Sequence, residues 1–399
     1  MHMTPNARAF DDWIRDRFVG INTELEALYF VQPDRNVIPA EGEALRQELL
    51  ASGHAHVSRL LAEGNTDEGF EAAFDLLGNL GMFMAACRRH GLTDPAREQR
   101  SPLQAASALA LHLGASLGVT PRFATSHLTT HNPARDGVYK CFTRLEAERV
   151  FFDYNTRGIL AYKRAADALV RTLPMGISHP AVLQLLDDAA AALADVQCSN
   201  AALFEALDVD EFFYCVRPYL KPYRVGLQVY RGANAGDFAG INEIDLLLGL
   251  CRADHPEYSQ LLVDKFLYML PEDQQRLRDC MRRRSLLDAL LEALPEAGGQ
   301  AWFQAVVPRF LEVCARHGET ASQHHDQLVR RFIERPAQAL PEEEQGDVTA
   351  SGPPLSVLLP ALERLRDLRR AAPREDIPTR HRDLARLRAA LPPTTAEAG

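Results

Sequence analysis

The 399-residue sequence lacks the motifs of several large enzyme classes. It has no GxxxxGK[ST] phosphate loop, no GxGxxG segment after a strand and no HExxH zinc motif. A Gly-x-Ser-x-Gly match at residues 114–118 follows a helical pattern, whereas a nucleophile elbow needs a preceding strand. Strands and helices do not alternate along the chain, which argues against a nucleotide-binding α/β domain.

Cysteine pairs, basic charge and long apolar runs are also scarce. The seven cysteines include no Cys-x-x-Cys pair, so we expect free thiols rather than a disulfide framework. The 44 Lys and Arg residues against 54 Asp and Glu give a net charge of −10, which disfavours nucleic-acid binding through a generally basic surface. No segment approaches the ~20 apolar residues of a membrane span, and the N-terminus has no signal-peptide core. We therefore expect a cytoplasmic protein that binds neither nucleic acid nor membrane.

Helical periodicity dominates the rest of the sequence and predicts an all-α fold. A short helix is predicted over residues 122–130, between two proline-containing start and stop signals. Residues 224–230 alternate enough for a short strand or an extended loop, and the glycine-rich residues 232–240 are predicted as loop. Longer helices are predicted at 43–61, 70–90, 103–118, 145–173, 183–196, 242–251, 258–270, 272–284, 286–294 and 355–368.

One long helical stripe crosses residues 301–334. Its apolar and small residues recur in alternating steps of four and three, which is one face of a helix; Gly318 could instead divide it into two helices. Pro308 fits the first turn better than the interior. His325 lies on the stripe and His324 about 100° away from it. A histidine on such a stripe is usually a core residue, but an axial haem ligand is the alternative.

Several segments resemble the indoleamine 2,3-dioxygenase family. Residues 325–333 (HDQLVRRFI) are similar to its proximal-histidine helix. Residues 229–232 (VYRG), 238–240 (FAG) and 245–249 (DLLLG) are similar to its glycine-rich loop and following helix. A closer resemblance, at residues 127–133 (HLTTHNP) and 217–228 (RPYLKPYRVGLQ), is to the monodechloroaminopyrrolnitrin synthase family of the same haem superfamily. These motifs occur along the chain in the order that the family has them, and the resemblance covers about residues 70–370.

The resemblance implies a large helical bundle that encloses haem b, with an open side for dioxygen or hydrogen peroxide. We expect residues 1–100 to form a smaller N-terminal helical part and residues 101–370 the haem-binding domain. Residues 371–399 are expected to be a frayed Arg- and Pro-rich tail. The protein is expected to be a monomer or a homodimer.

The resemblance also implies site residues. His325 matches the axial histidine, with His324 as the fallback. Ser322 departs from the family, since the dioxygenase has a propionate-binding arginine at that position. The positions that match the distal pocket or the loop over the substrate are Thr125, Leu128, Thr129, Phe151, Asn155, Ser351 and Gly352. Ordinary helix packing is the alternative for Thr125, Leu128 and Thr129.

Chemistry suggests three further candidates. A zwitterionic amino acid needs a cation for its carboxylate, and Arg224 and Arg231 flank the glycine-rich loop. Pairing with haem propionates or a solvated surface is the alternative for both. His127 is a candidate distal acid or base, with a packing role as its alternative.

The expected function is oxidation of an aromatic, tryptophan-like amino acid in specialised metabolism. Ring-opening dioxygenation, hydroxylation and oxidative rearrangement all remain open. A non-catalytic haem sensor or carrier, with a second iron ligand such as His127, is the alternative from another class. A haem-free helical scaffold is a third possibility.

Overall fold

The computed structural model describes residues 3–64, 69–94, 100–234, 236–339 and 353–392. Within these ranges the fold is all-α, as predicted, apart from one two-stranded antiparallel hairpin. Ser351 and Gly352, two of the expected substrate-binding residues, lie outside the described residues.

Five helices form the N-terminal part of the fold: α1 (Pro5–Arg15), α2 (Arg17–Phe30), α3 (Glu43–Glu63), α4 (Phe70–Arg89) and α5 (Gln104–Leu117). α4 is apolar on nearly every face and runs through the centre of this part. By length and composition it could cross a membrane, but 89% of its most apolar stretch is buried inside the protein. A core helix meets the same criteria, because a helix that is apolar all round is normally enclosed by others.

The segment after α5 differs from its prediction. The structure has only a short 3-10 helix, Thr125–Leu128, where the sequence predicted a helix over residues 122–130. Side chains cap its start: the Phe123 N–H donates to the Tyr223 hydroxyl (3.1 Å), and the Ala124 N–H to Nδ1 of His127 (2.8 Å). The helix ends at Thr129, whose backbone lies outside the helical region (φ −129°, ψ −101°).

Two long helices follow, α6 (Glu146–Thr172) and α7 (Ala181–Ala206), and they pack along each other. The chain then passes through α8 (Val209–Glu211), a π-helical turn (Phe212–Val216) and a 3-10 turn (Arg217–Leu220). Strands β1 (Tyr223–Val225) and β2 (Gln228–Tyr230) form the hairpin, with Arg224 opposite Val229. The predicted extended segment is therefore a hairpin, and the glycine-rich loop follows it.

The C-terminal part is helical throughout the described residues. It contains α9 (Gly240–Leu248), α10 (Pro256–Phe266), α11 (Pro271–Met281), α12 (Leu286–Ala297), α13 (Ala301–Gln323), a π-helix (His324–Glu334), α14 (Arg335–Gln338), α15 (Leu355–Arg369) and α16 (His381–Ala389). Gly318 does not break α13; a Cβ there would lie 3.0 Å from the Cα of Arg370, so glycine lets the end of α15 approach closely. Pro308 lies inside α13 rather than in its first turn.

Two large buried clusters hold the helices together. The first joins α1–α5 to Phe123, Phe142, Phe152 and the hairpin, so the core of residues 1–100 continues past residue 100. The second joins α6 and α7 to the C-terminal helices. Leu384 and Leu387 of α16 belong to it, so the prediction of a frayed tail is wrong for these residues.

Candidate functional site

A cavity opens between α6, the end of α7, the glycine-rich loop, the π-helix and α15. The cavity measures about 260 Å³, which is near the lower end of the roughly 300–1,000 Å³ that ligand pockets usually have.

One wall of the cavity is aromatic and aliphatic. The ring centroids of Phe151 and Phe212 lie 4.7 Å apart, and Phe212 meets Phe332 edge-on at 6.1 Å. Aliphatic side chains extend this surface, namely Leu203, Leu207, Leu328, Val329, Ile333, Leu358, Leu362 and Leu365. Such a wall suits a flat hydrophobic ring system.

The polar part of the wall is cationic. Arg217, Lys265, Arg366 and Arg369 line the cavity, and no Asp or Glu is among its described lining residues. Arg369 makes a two-pronged ion pair with Asp245 (2.8 Å), and Arg366 pairs with Asp326 (3.2 Å). The cavity therefore presents positive charge at its surface, with the balancing carboxylates behind it. It is suited to a ligand that carries carboxylates.

The π-helix brings two adjacent histidines to the cavity wall. The His325 residue is 5% exposed, and its Nδ1 is buried without a hydrogen-bond partner among the described residues. Burial, and then the charge of Arg366, lowers the pKa of His325 and favours the neutral imidazole that binds a metal. A neutral imidazole at a cavity wall is the form in which histidine binds iron.

His324 has different surroundings. Its side chain is accessible, yet burial lowers its pKa to about 4, with Arg369 and Lys265 adding to the effect. A ring that is accessible while protein surrounds it faces the enclosed space of the cavity. Both histidines are therefore candidates by position, and the family motif favours His325.

Below the cavity, Asp245 joins four helices. It accepts hydrogen bonds from Nε2 of His317 (2.7 Å) and the Tyr258 hydroxyl (2.7 Å), besides the guanidinium of Arg369. Burial raises its pKa, but Arg369 and His317 outweigh that effect and hold the pKa of Asp245 below its ordinary value. The ionised carboxylate fixes Arg369 at the cavity wall.

Two of the expected distal residues do line the cavity. Phe151 and Asn155 lie on α6, one turn apart, and the Asn155 amide donates to the Phe151 carbonyl (2.6 Å). The expected distal residues in and just after the 3-10 helix, Thr125, Leu128 and Thr129, do not line it. Thr125 acts indirectly, because its hydroxyl donates to the carbonyl of Asn234 (2.7 Å), which is a lining residue.

His127 lies in the core and not at the cavity. Its Nδ1 accepts from the Ala124 N–H, its Nε2 donates to the Phe74 carbonyl (2.8 Å), and its ring stacks on Phe74 at 3.9 Å. Burial lowers its pKa to about 3, so the ring is neutral at pH 7. Both nitrogens are used, so the position corrects the expectation of an acid, base or second iron ligand and gives His127 a packing role.

Neither expected carboxylate-binding arginine is among the cavity-lining residues. Arg224 lies half-buried on β1. Arg231 pairs with Asp237 (2.6 Å), and its guanidinium lies over the Tyr268 ring (4.2 Å). Arg122 also pairs with the Asp237 carboxylate (3.1 Å), and its guanidinium lies over the same Tyr268 ring (4.3 Å). This cluster fixes the glycine-rich loop, which corrects the expectation that Arg231 binds substrate.

Sequence reasoning missed the cations that do line the cavity. Lys265, Arg366 and Arg369 belong to α10 and α15, where the sequence predicted helices without a role in the site. A signal was present: Leu358, Leu362, Leu365, Arg366 and Arg369 recur at helical spacing, so two arginines share or border an apolar face. An arginine on such a face needs a buried partner or a ligand.

The fold and the site define the class: an all-α protein with a deep apolar cavity, a neutral histidine in its wall and cations without lining carboxylates. The sequence profile of the family described as monodechloroaminopyrrolnitrin synthase PrnB matches residues 4–391. The chain belongs to this family, a haem-dependent enzyme family of oxidoreductases linked to tryptophan and antibiotic biosynthesis.

Proposed function

We propose that this protein binds haem b in the cavity and oxidises an aromatic, tryptophan-like amino acid with dioxygen or hydrogen peroxide. One observation carries the proposal: His325, the aromatic wall and the cationic residues all line the same cavity. When bound, haem supplies the iron centre for the oxidation. The protein supplies binding, orientation and electrostatics.

Each part of the wall has a task in this proposal. His325 would hold the iron, because its neutral ring lies at the wall. Phe151 and Phe212 would pack against a ring system, since stacked or edge-on aromatic contacts add about 0.5–1.5 kcal/mol to burial of their area. The apolar wall would exclude water from the reacting groups, which strengthens each electrostatic contact inside.

The first experiment measures the cofactor. The purified chain, reconstituted with haem, is expected to carry one non-covalent haem b in a pyridine haemochromogen assay. Val329 stands four residues after His325, where some related hydroxylases have a haem-linking cysteine, so extraction should release the haem. If the chain takes up no haem, a haem-free helical scaffold becomes the better account.

The second experiment measures the substrate class. Tryptophan, tyrosine, their halogenated and methylated forms and, as a control without an aromatic ring, arginine are titrated against the haem absorption spectrum. We expect the aromatic amino acids to perturb the spectrum and arginine to leave it unchanged. If no amino acid perturbs it, a haem sensor or carrier becomes the better account.

A further inference from the structure

Lys265 is an unusual cation in this structure. It is the penultimate residue of α10 and lines the cavity, and its ammonium donates to the Gly236 carbonyl (3.2 Å). No carboxylate of the described chain lies within ion-pair distance of it. Burial lowers the pKa of Lys265 to about 8, and the nearby charge of Arg369 adds to this effect.

Other inward-facing lysines in the chain have acidic partners. The Lys140 ammonium is fully buried and pairs with Asp75, while also donating to Asn79 (3.0 Å). Lys163 pairs with Asp273 (3.3 Å). Lys265 is half-buried, and a cation that is partly removed from water without a counter-ion is costly, so we infer that the counter-ion arrives with a ligand.

The glycine-rich loop holds this ammonium in place. A Cβ at Gly236 would lie 3.1 Å from Nζ of Lys265, so a side chain there would crowd it. The Gly236 N–H donates to the Asn234 side chain (2.9 Å), and the Asn234 N–H to Asp237 (3.2 Å). Hydrogen bonds thus connect Asp237, which pairs with Arg231, through Asn234 to Gly236, whose carbonyl binds Lys265.

We propose that Lys265 binds a carboxylate of the molecule in the cavity and is its principal anion anchor. This rests on the proposed function, which supplies two sources of that group: a haem propionate or the carboxylate of the amino-acid substrate. Arg369 and Arg366 contribute long-range attraction, but their guanidiniums already pair with Asp245 and Asp326. The Lys265 ammonium has three N–H donors and gives one to the Gly236 carbonyl, so two are left for a ligand carboxylate.

The test compares Lys265→Met with Lys265→Arg, which keeps the charge, and with Lys163→Met, which makes the same change outside the cavity. The apoprotein is titrated with haem and with its dimethyl ester, which has no free propionates. The haem-loaded protein is titrated with tryptophan and with tryptamine, which has no carboxylate. Each affinity is read from the absorption spectrum.

A propionate anchor predicts that Lys265→Met weakens haem binding about 10- to 100-fold and leaves binding of the ester unchanged. A substrate anchor predicts unchanged haem binding and a similar loss for tryptophan but not for tryptamine. Lys265→Arg should stay within a few-fold of the natural protein in either case. An effect of Lys265→Met no larger than that of Lys163→Met in every titration would overturn the proposal.

Stability supplies a readout that needs no ligand. Lys265→Met should leave the melting temperature of the apoprotein equal or higher, because it removes an uncompensated cation, whereas Lys163→Met should lower it or leave it unchanged. A clear drop for Lys265→Met alone would show that its bond to Gly236 is structural and would contradict the anchor. If the natural protein binds no haem, the proposed function fails; if it binds haem and Lys265 has no effect, only the anchor fails.

Discussion

His324 and His325 are adjacent and both line the cavity, but only one can hold an iron atom at a given position. We expect His325→Ala to abolish haem retention or to make it dependent on added imidazole. His324→Ala, the matched control, should keep the absorption spectrum of the histidine-ligated haem. The opposite pattern would assign the iron to His324 and contradict the register taken from the family motif.

Gly78 of α4 lies directly against the His127 ring: a Cβ at this position would be 2.4 Å from its Cδ2. Gly78→Ala should therefore destabilise the protein by about 1–3 kcal/mol, as overpacking of a core does. Gly158 of α6 is the control, because nothing lies within 4 Å of a Cβ there. Gly158→Ala should be neutral or stabilising by up to about 1 kcal/mol. Urea unfolding of both variants measures the difference, and equal midpoints would refute it.

Among the connecting elements, the glycine-rich loop depends on Asp237, which is fully buried and binds Arg122 and Arg231. Asp237→Asn leaves two cations without their carboxylate, so we expect a loss of about 3–5 kcal/mol. Asp254→Asn breaks an exposed pair with Arg252 and should cost at most about 1 kcal/mol. Thermal unfolding of the apoproteins tests this, and similar losses for the two variants would count against the loop's dependence on Asp237.

Helical periodicity could place most helices but not the geometry of the site. The stripe that carries His325 correctly indicated a long continuous helix, yet the π-helical winding of residues 324–334 is not visible in an apolar pattern. A π-helix has hydrogen bonds from i to i+5 rather than from i to i+4, which changes the side chains that share a face, and both His324 and His325 line the cavity. Likewise, the position of Arg231 beside the glycine-rich loop suggested a ligand contact. In the folded loop Arg231 instead pairs with Asp237, and this pairing cannot be read from the sequence.

At the scale of the whole molecule, the second buried cluster extends from α6 and α7 to α16. Leu387 is fully buried against this core, so Leu387→Ala should cost about 2–5 kcal/mol. Leu227, in the turn of the hairpin, is 78% exposed, and Leu227→Ala should have almost no effect. Urea midpoints of the two variants provide the comparison. No loss at Leu387 would restore the view of a frayed tail.

Stability should fall as the solution becomes acidic, and two buried histidines contribute. His127 and His90 are neutral in the fold because burial lowers their pKa values, that of His127 to about 3. Both bind protons in the unfolded chain near pH 6.5, so the unfolded state takes up more protons below that pH. The urea midpoint should therefore decrease from pH 7.5 to pH 5. A midpoint that is unchanged or higher at pH 5 would contradict this assignment.

The position of α15 also affects the order of events during synthesis. Its residues from Leu358 to Arg369 complete one wall of the cavity, and they are synthesised after all the other described residues that line it. The N-terminal helices can pack beforehand, since their cluster draws on residues up to Leu270. A nascent chain therefore has an open trough where the folded protein has a cavity, and a ligand is enclosed only after α15 has been synthesised.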